Sequence, residues 1–209
     1  MIDIIIVKYN YKKLEDQCVK SILENTTGNY HLTIYDNYPE NHNLGQLWNR
    51  LIENSDADYI CLLNSDTIVT EGWLDELMKT FSVVDNVGVV GPSTDHARNH
   101  QTQNRTEPYI DYGKEYPDWM LGGFCLIFPK SVWEKAGGFD PNFGFYGQEV
   151  GFIYKVQQVG FKQVWCTKSF VYHVGSASAK KAEIAGEFNE TEERAKAKEL
   201  LKDIIKRYK

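Results

Sequence analysis

Along residues 3–92, short apolar runs of strand length alternate with amphipathic stretches of helix length. Asp3-Ile4-Ile5-Ile6-Val7 is apolar on both faces, as a central parallel strand must be. Leu14, Cys18 and Ile22, with Val19 and Leu23 beside them, put an apolar stripe on a helix near residues 12–25, and Gly28 follows as a stop. Residues 31–35 form a second strand, and Leu44, Leu47, Leu51 and Ile52 mark a second helix. A strand at 59–63, a helix marked by Leu74, Leu77, Met78 and Phe81, and a strand at 87–90 closed by Gly91-Pro92 complete the series. Strands separated by such helices predict β-α-β units and a mostly parallel sheet flanked by helices. The handedness of these units gathers the strands' C-terminal ends on one edge, where open α/β folds bind ligands. Attention therefore falls on Lys8-Tyr9-Asn10, Asp36-Asn37 and Asn64-Ser65-Asp66.

The chain then changes character. Residues 93–118 are polar without periodicity and read as a long surface loop, a kind of segment that is either functional or disordered. Order returns at Trp119, with a strand at 124–128 after Gly122-Gly123, a short helix at 130–136 stopped by Gly137-Gly138, and a helix at 149–159 with Phe152, Val156 and Val159 on one face and Gly160 as its cap. Two short strands follow at 163–166 and 170–172. Residues 176–187 are small and polar. A last helix at 191–208 carries Leu200, Leu201, Ile204, Ile205 and Tyr208 on one side, and alternating charges, Glu193 and Arg194 among them, on a face that reads as solvated. The organisation is thus 1–92, a variable loop at 93–118, a second half of the same domain at 119–178, and a mobile segment with an amphipathic helix at 179–209.

Composition removes several classes. A membrane-spanning helix needs about 18 apolar residues in a row, and none of the apolar runs approaches that. No signal peptide is visible, because Asp3 interrupts a short apolar start. The net charge of −6 disfavours a general nucleic-acid surface while leaving a local basic site open. Cys18, Cys61, Cys125 and Cys166 form no Cys-x-x-Cys pair, which suits reduced, buried thiols in a cytoplasmic protein.

Four side chains stand out, each with functional and structural readings. Asp66 emerges at the ligand edge after an apolar strand, where a carboxylate suits a divalent cation that also takes phosphate oxygens; it also suits a helix cap or a turn. Asp36 has the same position after the second strand and would accept from a ribose or a base, or hold the turn Asp36-Asn37-Tyr38-Pro39. His173 ends a strand as a metal ligand, a base or a packed imidazole. Glu149 opens a helix, as a favourable N-terminal charge or as a general base beside an apolar wall. There is no Gly-x-Gly-x-x-Gly after the first strand, no Walker loop and no Gly-x-Ser-x-Gly elbow.

Taken in order, the motifs resemble one family, the inverting, metal-dependent glycosyltransferases of family 2 with the GT-A fold. The resemblance is carried by Ile5-Ile6-Val7-Lys8-Tyr9-Asn10, by Tyr35-Asp36-Asn37, and by Asn43-Leu44-Gly45 with Asn49-Arg50-Leu51. It continues through Leu63-Asn64-Ser65-Asp66-Thr67, similar to the family's D-x-D in its N-x-D form, and the run from Trp119 through Gly122-Gly123 to Ile127. Gly137-Gly138-Phe139-Asp140 with Gly147-Gln148-Glu149-Val150-Gly151-Phe152, and Val171-Tyr172-His173-Val174-Gly175-Ser176, complete it.

The resemblance implies a Rossmann-like GT-A sheet with a smaller acceptor-side half, and transfer of one sugar from a nucleotide-diphosphate sugar to an acceptor hydroxyl. Val7, Tyr9 and Asp36 would hold the nucleoside, with Asn49 also on the donor side. Asp66 and His173 would bind Mn²⁺ or Mg²⁺, and Asn64 would lie near the ribose or the metal's waters. Gly122 and Gly123 would let backbone approach the sugar, and Glu149 would be the general base. Residues 176–187, with Lys180 and Lys181, would either close over the diphosphate or form a solvated linker to the last helix. The acceptor would be a saccharide or glycoconjugate, lipid-linked or otherwise; nucleic acid is disfavoured but stays open. Departures are Gln148-Glu149 for the usual Glu-Asp and Gly151 for a later Asp. A degenerate, non-catalytic nucleotide-sugar-binding module and a sugar-phosphate nucleotidyltransferase are the alternatives. The last helix packs back on the domain or pairs two copies as a homodimer.

Overall fold

The computed structural model describes residues 1–175 and 189–207. The expected alternation is present: β1 (Ile2–Lys8), α1 (Lys12–Asn25), β2 (Tyr30–Asp36), α2 (Leu44–Glu53), β3 (Tyr59–Leu63), a short β4 (Thr67–Val69), α3 (Trp73–Val83) and β5 (Val87–Ser93). Beyond it come β6 (Tyr109–Asp111), α4 (Tyr112–Glu115), β7 (Cys125–Pro129), α5 (Lys130–Ala136), α6 (Gln148–Gln158), β8 (Lys162–His173) and α7 (Glu190–Arg207).

One sheet holds the eight strands in the order β2-β1-β3-β7-β5-β8-β4, with β6 paired to β8. β2, β1, β3, β5 and β8 share one direction; β7 is antiparallel to both β3 and β5, and β4 and β6 run against β8. The sheet is mostly parallel, as expected. Alternate residues of its strands serve two cores. Ile5, Ile60, Leu62 and Phe128 face Trp48, Phe139 and Phe152, while Ile4, Ile6, Cys61 and Leu63 face Cys18, Ile22, Trp73 and Leu77. Both faces are therefore dry, and the central strands carry continuous apolar runs rather than alternation. Phe152 lies 4.5 Å from the ring of Phe139 and 4.9 Å from that of Phe128. Burying each such ring contributes roughly 1.5–3 kcal/mol.

The antiparallel strand matters for function. Because β7 runs backwards, its beginning meets the end of β3: Leu63 pairs with Cys125, and the Asn64 amide donates to the Phe124 carbonyl at 2.9 Å. Gly122-Gly123 is thereby placed beside Asn64-Ser65-Asp66. β8 performs a similar service. Its far end pairs antiparallel with β4, Thr67 opposite His173, so the histidine arrives beside Asp66.

Three expectations are corrected. Residues 93–118 are not only a surface loop: they contain a 3-10 turn at His100–Thr102, β6 and α4, and they bury Gln101, Ile110 and Tyr112. Elements this short are below the length at which periodicity registers, and their buried polar groups are bonded locally, Tyr112 Oη accepting from the His100 amide at 3.1 Å. The two expected short strands are one strand, β8, which stays continuous across an irregularity between Cys166 and Phe170. Val159 does not face the core; it caps α6 and is exposed. No helix among the described residues is long and apolar enough to cross a membrane. Residues 176–187, with Lys180 and Lys181, and Tyr208 lie outside the described residues.

Candidate active site

A cleft of about 780 Å³ opens at the C-terminal edge of the parallel strands. Val7, Tyr9, Asn64, Asp66, Gly122, Gly123, Glu149 and His173 all line it. The fold thus brings together eight of the residues singled out in the sequence. Asp36 and Asn49 are not among its walls. Asp36 is exposed and its Oδ1 accepts from the Tyr38 amide at 3.1 Å, which is the turn role. Asn49 is spent on the α5–α6 connection: its Oδ1 accepts from the Phe139 amide at 2.8 Å and from Trp133 Nε1 at 3.2 Å, and its Nδ2 donates to the Phe139 carbonyl at 2.9 Å.

The first wall is the turn after β1. Glu15, buried in the first turn of α1, accepts from the amides of Tyr9 and Tyr11 at 3.0 and 2.9 Å, and lies 3.4 Å from Lys8 Nζ. It stabilises the amides of a turn in which Asn10 has φ +52. Nothing in the apolar pattern marks Glu15; the available signal was an acid in the first helical turn, where the dipole favours it. Asn37, next to Asp36, is the cleft-facing member of that pair, and its side-chain amide both donates to and accepts from the His42 backbone at 3.0 and 2.9 Å.

The second wall joins Asp66 to His173. His173 Nδ1 lies 3.0 Å from the His96 carbonyl, and a carbonyl only accepts, so Nδ1 carries a proton. Nε2 is buried, makes no hydrogen bond among the described residues, and faces Asp66 Oδ1 at 3.4 Å. A lone pair and a carboxylate face to face require a cation between them, either a proton or a metal ion. Burial pushes the His173 imidazolium down, but the Asp66 carboxylate, the His96 carbonyl and Asp95 outweigh it and leave the pKa above its ordinary value. The site therefore favours positive charge, and the donor set fits a divalent cation. Phe124 stacks on the imidazole with ring centroids 5.1 Å apart, and Asp95 Oδ1 accepts from the His173 amide at 2.9 Å. Among the described residues no three His, Cys, Asp or Glu side chains gather as a metal cluster. The remaining positions on such a cation would fall to water and to ligand oxygens.

The third wall carries Glu149 at the start of α6. A Cβ on Gly123 would come within 3.0 Å of Glu149 Cγ, so glycine there makes room for the carboxylate arm. Burial pushes the Glu149 carboxyl above the usual carboxylate range, and the charge of Arg194 offsets only part of that. The departures from the family pattern have local reasons. Gln148 is fully buried and its Nε2 donates to the carbonyls of Phe143 and Gly144 at 2.9 and 3.2 Å, a task an acid would do badly. Gly151 leaves its side-chain space to the ring of Phe143, 2.5 Å from where a Cβ would stand.

Two buried glutamines missed in the sequence fix the segment before β7. Gln101 accepts from the Gly122 amide at 2.7 Å, and Gln163 accepts from the Leu121 amide at 3.0 Å. One face of the last helix also differs from expectation. Glu193 and Arg194, expected on a solvated face, line the cleft, while Ile204 is buried.

Residues 35–137, just under half the chain, match the family model described as Glycosyl transferase family 2. Among solved structures, GalNAc-T7 with UDP, GalNAc and Mn²⁺ superposes with a TM-score of 0.64 at 13% identity, covering 83% of this chain and 43% of that one. S. aureus TarS, residues 1–349, gives 0.65 at 9% identity, covering 86% of this chain and 62% of that one. At these identities the likeness shows the fold, which is GT-A, and this chain spans less than two thirds of either. No curated protein matches in sequence.

Proposed function

We propose that this chain is a metal-dependent, inverting glycosyltransferase that moves one sugar from a nucleotide-diphosphate sugar to an acceptor hydroxyl, most simply on a saccharide or glycoconjugate. The carrying observation is that one cleft holds both a cation-seeking Asp66–His173 pair and a carboxylate, Glu149, whose pKa burial raises above the usual carboxylate range. Val7 and Tyr9 would flank the nucleoside, with Asn64 near the ribose. Bound Mn²⁺ or Mg²⁺, held by Asp66 and His173, would supply neutralisation of charge on the leaving diphosphate. Glu149 takes the proton of the acceptor hydroxyl as its oxygen bonds to the anomeric carbon, while the bond from that carbon to the diphosphate breaks on the opposite face. The raised pKa makes Glu149 a better base than an ordinary carboxylate. GalNAc-T7 was solved with UDP and Mn²⁺, which supports the same donor chemistry here. Four buried, free thiols suit a reducing compartment, and the cytoplasm belongs to this reading.

The test is a thermal-shift screen of uridine-, thymidine-, guanosine- and cytidine-linked sugars with Mn²⁺ or chelator. One donor at about 100 times its Kd should stabilise the protein by ~2.7 kcal/mol, with Mn²⁺ only. D66A and H173A should lose that shift. A shift by no donor, or one indifferent to chelator and to both substitutions, overturns the assignment.

A further inference from the structure

α7 is fixed against the entry to α6. Glu193 Oε2 accepts from the Phe145 amide at 2.9 Å and occupies the space that Gly144 leaves free, and Ala197 packs over Gly147. This register delivers Arg194 to the cleft. Its Nε donates to Glu190 Oε1 at 2.6 Å, one helical turn back, and its guanidinium carbon lies 3.8 Å from the Tyr146 ring centroid. Arg98 donates to the same Glu190 oxygen at 3.3 Å. One carboxylate thus serves two guanidinium groups, and Glu193 is turned onto a backbone amide. Nη1 and Nη2 of Arg194 make no hydrogen bond among the described residues. Ring stacking and the Nε bond hold the guanidinium plane while its other donors are left for a ligand, an arrangement suited to two oxygens of an oxoanion.

We propose that Arg194 is a specificity-determining residue that recognises an oxoanion, a phosphate or carboxylate, on the acceptor beside Glu149. This rests on the transferase reading above. The donor's diphosphate belongs with Asp66 and His173, whereas a group held near Glu149 lies where the acceptor hydroxyl must come. The acceptor class is then an anionic saccharide or polyol rather than a neutral one.

The test uses glucose 6-phosphate and glucose as probes, titrated by NMR into the full chain with Mn²⁺ and the nucleotide found in the donor screen, so that the diphosphate region is filled. Wild type should bind glucose 6-phosphate at least ~10-fold more tightly than glucose, and R194M and R194Q should lose that preference with nucleotide affinity unchanged. Arg194 is partly exposed on a helix, and Met and Gln are good helix formers, so the variants should fold; circular dichroism checks this, and either variant carries the test. Equal binding of the two probes to wild type, or a preference that survives in the variants, overturns the proposal. So does a loss confined to nucleotide affinity, which would place the guanidinium on the donor. If no nucleotide binds at all, the transferase reading fails and takes this proposal with it.

Discussion

Glu149 shows how one residue's surroundings set its chemistry. Burial raises its carboxyl pKa, the absent Cβ of Gly123 leaves it space, and Arg194 is close enough to offset part of the shift. E149Q should lower turnover about 10²–10⁴-fold, with donor binding unchanged. The same substitution has a stability signature. The folded protein holds this proton to higher pH than the unfolded chain does, so ionisation costs the native state increasingly as pH rises from the ordinary carboxylate value through the raised one. E149Q removes that cost. Urea unfolding at about pH 4 and about pH 8 should show a variant that gains on wild type as pH rises. A gap that narrows with pH would count against a raised carboxyl.

At the scale of elements, the entry to α6 depends on Gln148, whose amide donates to two carbonyls while Asn43 Nδ2 donates to one of them at 2.7 Å. Q148E would set a carboxylate against those carbonyls. We expect a loss of about 1–3 kcal/mol by urea unfolding, larger at high pH, where the carboxylate is charged. An unchanged midpoint would mean that the turn before α6 does not depend on this side chain. Helix α1 illustrates what pattern reading can and cannot reach. Its bounds were legible from Leu14, Cys18 and Ile22, but its buried set is Glu15, Cys18, Ser21 and Ile22. Polar members of a buried face are invisible to hydrophobic periodicity, because their partners are backbone amides supplied by other elements. Gln101 and Gln163 escaped notice for the same reason.

Across the whole molecule, the cysteines report on the integrity of the layers. Cys18 lies on α1, Cys61 on β3, Cys125 on β7 and Cys166 on β8, all buried and free. Burial pushes the Cys18 thiol up to about 11 and raises those of Cys125 and Cys166. All four should be silent to Ellman's reagent in the native protein and react together in urea. A thiol that titrates quickly under native conditions would show that one face of the sheet opens on its own.

The sequence by itself determined the α/β class, most element bounds and the ligand edge, because these follow from local periodicity and from the handedness of β-α-β units. It also pointed to Asp66, His173 and Glu149, since carboxylates and imidazoles after strands or at a helix start are conspicuous. Only the tertiary structure decided which of them meet. β7 runs antiparallel between β3 and β5, and the end of β8 pairs with β4, and those two pairings bring Gly123, Asp66 and His173 to one cleft. The same long-range packing turned Asp36 and Asn49 to structural tasks and drew Arg194 from an expected solvent face to the cleft. Such choices are made by partners distant in sequence, where no local pattern records them.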